Sequence, residues 1–367
     1  MSVSLGSFPT RFEGWSRGPA LALIAALLAL LAVATWSPAT APAPKLRSSP
    51  VEQSDLDLYR DIIKGIAAGG DYYEVAAKEL RKGNYPLKPF FTFRLPTHAS
   101  IYALVGEQSM ILLIWALCGA LIIAWGVKLR LLLPRPLTAL VLILIAGGLG
   151  GMLQPQTGLF HESWAALLLA LMVAVYRPDR FWPAVILGGA ALMIRELALP
   201  MVLAMGGLAL IEKRWREAAA WTLAVTLFGI YLTLHAHWVS AVVLPSDPPS
   251  PGWSNMNGLQ FALKSIAKVT FGIRLPQGVA IGLLILSLFG WASVKAGWAL
   301  RTFLLIGGYT LMLALLARAD TFYWALLAAP LAFAGLAFLP KALADLAKAV
   351  SVGPHSSRRG LHNGASS

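Results

Sequence analysis

Two carboxylates, Asp55 and Asp57, follow a Pro-rich lead in the stretch Asp55–Ala99, which is polar, aromatic and acidic. A carboxylate pair in that place can supply a general base or a cation ligand. Further ionisable residues are scattered along the chain: Asp71, Arg94, His98, His161-Glu162, Arg195-Glu196, Arg318 and Asp320. Carboxylates facing guanidinium groups suit group transfer from a phosphate. A carboxylate takes the proton of an acceptor hydroxyl, and arginine holds the departing phosphate through a bidentate fork. Each residue also has a plainer reading. Asp55 could cap a helix, Asp57 and Asp61 could lie on a solvated helix face, and Arg195-Glu196 could be an ion pair at a helix end. His161-Glu162 is adjacent rather than four apart, a weak metal pair. His235 and His237 stand two apart and do not share a helix face. No zinc-protease, serine-hydrolase, dinucleotide or P-loop motif occurs. Cys118 is the only cysteine, which leaves neither a disulfide nor a thiolate metal site. No motif demands a cofactor; a divalent ion, Mg or Mn, has room but no clear ligand set.

The elements that must position these residues read as membrane. Mean hydropathy is +0.68, and 57% of residues are hydrophobic against 13% charged. A soluble domain carries about 25% charged residues. Apolar runs predict about ten spans, several short of the roughly 20 residues a crossing needs: 19–36, 109–127, 137–153, 164–176, 181–194, 197–211, 218–239, 278–294, 302–317 and 321–339. Residues 181–211 could instead form one long kinked helix, because Arg195-Glu196 and Pro200 interrupt them. Residues 19–41 also imitate a signal peptide, with Ala39-Thr40-Ala41 as the cleavage site.

Lys and Arg cluster on alternate connections: Lys128, Arg130 and Arg135; Arg177 and Arg180; Lys213, Arg214 and Arg216; Lys295 and Arg301. By the positive-inside rule these are cytoplasmic, as are both termini. The expected location is therefore the inner (plasma) membrane, multi-pass. The net charge of +13 is a topology signal, and a nucleic-acid partner is not implied. The outer face then receives the loops 37–108 and 240–277 together with most of the unusual polar residues. His161-Glu162 and Arg195-Glu196 abut apolar spans, where ionisable groups are costly and tend to be functional.

Within 37–108, residues 37–54 read as extended. Apolar residues at Leu56, Tyr59, Ile62, Ile63 and Ile66 predict a helix from Asp55 to Ala68. Gly69-Gly70 would end it. A second helix is expected from Tyr72 to Lys82, both lying on the membrane surface, then an irregular return over Asn84–Thr97. In 240–277, Asn257–Lys268 is expected to be an interfacial helix anchored by Trp253 and Phe261. The organisation is one polytopic domain, 1–340, and a cytoplasmic tail, 341–367, disordered at its end.

The pattern Asp55-x-x-x-Tyr59, Gly69-Gly70, Asp71-Tyr72-Tyr73, then Tyr85-Pro86 and Pro89-Phe90, resembles the first outer loop of GT-C-fold membrane glycosyltransferases. It is nearest the polyprenol-phosphate-mannose-dependent mannosyltransferases. A second stretch, Gln154–Arg216, is similar in its Gln-containing turn, its two apolar spans, Arg195 before Pro200, and a basic Lys213-Arg214-Trp215-Arg216 turn. The departures are Arg195-Glu196 where relatives often carry Lys then Pro, Arg94-Leu95-Pro96-Thr97 where a double Pro is commoner, and no soluble C-terminal domain. The resemblance implies an all-α integral membrane protein that takes a sugar from a polyprenyl-phosphate donor to an extracytoplasmic glycan, lipid or protein acceptor, with inversion. Asp55 matches the loop acid, with Asp57 and Asp71 next in order. Arg195 would hold the donor phosphate, assisted by Arg94 or Arg318, and Glu196, His161, Glu162, Tyr59 and His98 would belong to the site. A lipid-linked-glycan transporter, or a non-catalytic subunit of an envelope-polysaccharide system, are the other readings of the same loops.

Overall fold

A computed structural model describes residues 8–36, 55–252 and 255–351. Residues 37–54, the cleavage-site look-alike at 39–41, Trp253 and the end of the tail lie outside them. The described residues form helices and turns, with two isolated bridges. Fourteen α-helices follow in chain order. They are α1 (Arg17–Thr35), α2 (Asp55–Ala67), α3 (Tyr72–Lys82), α4 (Pro96–Val105), α5 (Glu107–Leu129), α6 (Arg135–Leu149) and α7 (His161–Val175). Then come α8 (Trp182–Ile194), α9 (Leu199–Ile211), α10 (Trp215–Val242), α11 (Gly258–Lys268), α12 (Gln277–Ser293), α13 (Gly297–Leu316) and α14 (Leu339–Ser351). Among the described residues, six helices are long and apolar enough to cross a membrane: Arg17–Thr35, Glu107–Leu129, Arg135–Leu153, Trp215–Val242, Gly297–Leu316 and Ala329–Ser351. Four shorter apolar ones accompany them. The outward faces of the long helices carry large exposed apolar side chains, Leu28, Ile123 and Ile143 among them, as a lipid-facing surface requires.

The two helices read from the outer-loop sequence form where expected. Asp55 and Asp57 lie in the first turn of α2 and Lys64 in its last, complementing the helix dipole. The turn after α2 uses Gly69 at φ +92°, which a side chain would strain. Asp71 caps α3, accepting from the backbone N–H of Tyr73 at 2.8 Å and Glu74 at 3.2 Å. Leu58, Ile62, Tyr72, Ala76, Leu80, Phe93 and Ala99 share one apolar cluster with Val239 of α10, so α2 and α3 close into a small cap over the bundle. The return segment contains α4, absent from the sequence reading. Pro96 opens it, in the first turn where proline costs no hydrogen bond. A bidentate pair clips the loop after α10 to this cap: Arg81 donates to both oxygens of Asp247 at 2.8 Å. α11 forms as expected but packs against α12 and α13, with Leu263 and Ile266 buried.

α7 is the axis of the bundle, buried from His161 to Ala174. At about 1.5 Å per residue its fifteen residues span roughly 22 Å. α8 and α9 form a hairpin rather than one kinked helix. Gly188 of α8 and Gly206 of α9 both sit against Trp221 of α10, so the chain doubles back at Arg195, whose backbone is extended. The C-terminal end of α7 is held by cations. Lys128 Nζ donates to the carbonyls of Val173, Ala174 and Tyr176 at 3.0 Å each. Arg301 donates to the Tyr176 hydroxyl at 3.2 Å and to Glu212 at 3.3 Å. Positive charge there offsets the helix dipole. Basic residues that the sequence put on one side therefore meet at one end of α7, while His161 and Glu162 begin the other.

The last expected span needs correction. Residues 321–339 are not an α-helix but a chain of 3-10 turns, Ala319–Leu327, Ala329–Leu331 and Ala334–Phe338, almost wholly buried. Non-α backbone is tolerated at membrane depth only inside protein, and side chains serve it here. Ser287 Oγ accepts from Gly335 N–H at 3.0 Å, and Trp291 Nε1 donates to the Leu331 carbonyl at 3.1 Å. A uniformly apolar run carries no periodicity to distinguish the two helix types. The first residues of the expected tail, 341–351, belong to α14, where Asp345 accepts from Thr10 at 2.7 Å and from Lys341 at 3.0 Å, and Ala342 and Leu346 are buried.

Close backbone approach makes this region brittle. A Cβ at Gly335 would lie 2.0 Å from the Ser287 carbonyl, and one at Gly290 the same distance from the Gly335 carbonyl. Gly335→Val is expected to cost at least the about 1–3 kcal/mol of overpacking, lowering the melting temperature in detergent. Gly308→Ala, with open space around it, should be neutral or better. Equal melting of the two variants would refute this packing.

Candidate functional site

A cavity of about 620 Å³ lies between the α2–α4 cap and the end of the bundle where α7 begins. Asp55, Tyr59, Arg94, His98, His161 and Arg318 line it. Residues from three distant stretches of sequence thus meet in one chamber.

Asp55 is the first residue of α2, half-buried, and its Oδ1 accepts from the Tyr85 hydroxyl at 2.9 Å. The cap holds this carboxylate while the cavity reaches it. Arg94 comes from the return segment. Its Nε donates to the Tyr59 hydroxyl at 3.2 Å and its Nη2 to the Tyr323 hydroxyl at 2.9 Å. Its backbone carbonyl accepts from the Tyr72 hydroxyl. Two phenols aim the guanidinium without neutralising it, as a carboxylate partner would. Arg318 stands nearer the rim. Asp320 accepts from its Nε at 3.1 Å and its Nη2 at 2.9 Å, and Ser250 from its Nη1 at 3.3 Å.

The remaining sequence candidates fall elsewhere. Asp57 is exposed and pairs with Arg60 at 3.3 Å. Asp71 is the exposed cap of α3. Neither lines the cavity. Arg195 does not line it either. It is 1% exposed and locked between Glu162, at 2.7 Å from Nε, and Glu196. The sequence suggested the Glu196 contact but not Glu162, 33 residues away. This ion cluster sits beneath the chamber as a brace between α7 and the α8–α9 hairpin. Tyr85 and Tyr323 were missed as site residues. Tyr85 lay in a legible loop motif, but Tyr323 sits inside an apolar run with nothing to mark it.

His98 and His161 stack with ring centroids 4.4 Å apart, and Tyr59 meets His161 edge-on at 5.4 Å. His98 Nε2 donates to the Gly158 carbonyl at 3.1 Å. Burial pulls the His98 imidazole down to about 4, with the Gly158 bond opposing. An unfolded histidine titrates near 6.5. Between those values the unfolded chain binds more protons, so stability rises with pH across that window and is complete above it. The melting temperature should therefore fall as pH drops from about 6.5 toward about 4, and His98→Gln should flatten that dependence. An unchanged slope in the variant would show that other groups govern it. Burial also raises the Tyr59 phenol above its ordinary range, with the Arg94 charge opposing, so Tyr59 serves as a neutral hydroxyl.

Among the described residues no three His, Cys, Asp or Glu side chains converge on a point that could hold a metal. The divalent ion left open by the sequence has no ready protein cage here. The chamber offers two carboxylates, Asp55 and the Arg318-bound Asp320, with two guanidiniums, a pair of imidazoles and phenolic hydroxyls on partly apolar walls. No known protein family, characterised protein or solved structure matches this chain.

Proposed function

We propose that this protein is a membrane glycosyltransferase of the GT-C type that draws a sugar from a polyprenyl-phosphate donor. The observation that carries the reading is the placement of Asp55, Arg94 and Arg318 around one cavity at the end of a membrane-embedded bundle. In this reading all four shorter apolar helices cross as well, giving about ten spans, with the cavity facing the extracytoplasmic side and the basic end of α7 facing the cytoplasm. The donor's tail stays in the bilayer, which is why such a site belongs at its edge.

The step is a single displacement. An acceptor hydroxyl oxygen bonds to the anomeric carbon as its proton passes to the Asp55 carboxylate. The bond from that carbon to the phosphate oxygen breaks, and the electron pair leaves on the phosphate. Arg94 and Arg318 meet the growing negative charge, where preoriented donors contribute most. Asp55 accepts one hydrogen bond from Tyr85, which orients the base, and a single in-line displacement inverts the anomeric carbon.

A lipid-linked-glycan transporter is the second reading. It is favoured by the short α8 and α9 broken at a buried Arg195, since interrupted helices mark transporter sites. One experiment separates them. Protein in liposomes is given a polyprenyl-phosphate hexose labelled in the sugar, with an envelope extract as acceptor. Label in a new product together with free polyprenyl phosphate supports transfer. Donor that changes leaflet with its sugar intact overturns it in favour of transport.

A further inference from the structure

α11 lies across the chamber end of the bundle. It starts beside the end of α13, where the Met256 N–H donates to the Leu315 carbonyl at 3.2 Å and Asn257 Nδ2 to the Ala317 carbonyl at 2.7 Å. Leu263 and Ile266 are buried. Lys264 and Lys268, one turn apart, share another face, and Arg274 follows in the short helix Phe271–Arg274. Lys264 is half-buried; Lys268 and Arg274 are exposed.

These cations have no anions to balance them. No Asp or Glu occurs between Asp247 and Asp320. The elements packed on α11 are α1, α12, α13, Phe271–Arg274 and Ala319–Leu327. Only the last carries a carboxylate, Asp320, and Arg318 holds it at 2.9 Å. Among the described residues none of the three cations has a carboxylate partner. The α2–α4 cap differs: Arg60 pairs with Asp57, Arg81 with Asp247, and Lys82 with Asp61 and Glu79. In the proposed orientation this end is extracytoplasmic, where Lys and Arg are sparse. The patch therefore calls for an anion from outside the chain.

Its position says which kind. Lys268 Nζ lies 3.6 Å from the centre of the Phe322 ring, and Thr321 and Tyr323, on either side of Phe322, line the chamber. The charge thus sits at the chamber wall. The end of α11 abuts the turn that leads to Gln154 and Gln156, because Gly151 packs on the Val269 carbonyl. Both amides are exposed, and Gln156 Nε2 donates to Gln154 Oε1 at 2.9 Å. A phospholipid headgroup needs only the cations. Cations, amides and an aromatic face together suit the carboxylates, hydroxyls and ring faces of an acidic sugar chain.

We propose that α11 and the adjoining turns are a docking surface for an acidic glycan, whose end enters the chamber as the acceptor. The acceptor role rests on the glycosyltransferase reading; the binding does not.

Full-length protein in phosphatidylcholine nanodiscs, free of anionic lipid, is titrated with a short oligogalacturonate and with its methyl ester, the same chain without the charge. The acid should bind about tenfold or more tighter than the ester, the worth of two or three exposed ion pairs, and the advantage should shrink as salt screens it. Lys264→Gln, Lys268→Gln and Arg274→Gln combined should remove most of that advantage. Lys64→Gln with Lys78→Gln, on the cap, should leave it unchanged. The acid–ester comparison needs no variant to fold. Equal binding of acid and ester overturns the proposal. So does an equal loss in the cap variant, the mark of attraction by net charge alone. Phosphatidylglycerol retained in mass spectra by the unaltered protein and lost by the triple variant, with no oligogalacturonate bound, overturns it in favour of a lipid-headgroup site. Transfer from the labelled donor to envelope extract is read separately, with products sorted into acidic glycans, neutral glycans and lipids. Label in acidic glycans is expected. Label only in the other two overturns the proposal and leaves the glycosyltransferase reading standing. No label anywhere, with acid-dependent binding intact, overturns that reading and leaves the docking surface.

Discussion

Asp55→Asn is expected to yield a folded, membrane-inserted protein with sugar transfer reduced by roughly 10² to 10⁴, the usual cost of losing a general base. The substitution keeps the shape of the side chain and an oxygen for the Tyr85 hydroxyl, which donates at 2.9 Å. It removes the ability to take a proton. Asparagine also suits a helix start about as well as aspartate, so α2 should persist. The comparison variants are Asp57→Asn and Asp71→Asn, neither of which touches the cavity. Asp57→Asn should be close to normal in both stability and transfer. Asp71→Asn should also retain its cap on α3. Transfer and melting temperature must be measured on the same preparations. Near-normal transfer by a stable Asp55→Asn protein would remove the base assignment and favour the transporter or the non-catalytic subunit.

The second large effect separates two arginines. Arg94→Lys should keep the fold and lose transfer by roughly 10² to 10³, the penalty for removing one donor to a developing anion. A point charge reproduces neither the fork nor its aim between Tyr59 and Tyr323. Arg195→Ala should fail differently. It strips the partner from buried Glu162, and breaking a buried pair costs about 3–5 kcal/mol. That variant should melt early or not accumulate. Replacing Arg195 by Met together with Glu162 and Glu196 by Gln removes all three charges and should recover much of the stability, because the expense lies in the uncompensated charge. A stable Arg195→Ala protein with abolished donor binding would return the phosphate role to Arg195. A fully active Arg94→Lys protein would take it from Arg94.

Membrane embedding was legible without the fold, because a run of apolar residues has only one low-energy environment, whatever it packs against. The helices α2 and α3 were legible to within a residue, because their signals are local. Apolar spacing of three and four residues, an Asp cap and glycine stops all act within one or two turns. The charge pattern likewise divided the chain into two ends, and the contacts around Tyr176 and His161 follow that division.

What the sequence by itself determined, then, was the membrane class of the protein, the helices α2 and α3, and a pool of polar residues from which a site could be drawn. Only the tertiary structure decided which of them share a chamber. Arg195 carried the stronger sequence signal, yet it turns into an ion cluster with Glu162, while Arg94 reaches Tyr323 across 229 residues. Such pairings depend on how helices stack, and no neighbouring residue encodes that. The same holds for the 3-10 chain through the core. Its path exists because Gly290 and Gly335 let two backbones touch, a fit between surfaces that periodicity within either segment cannot express.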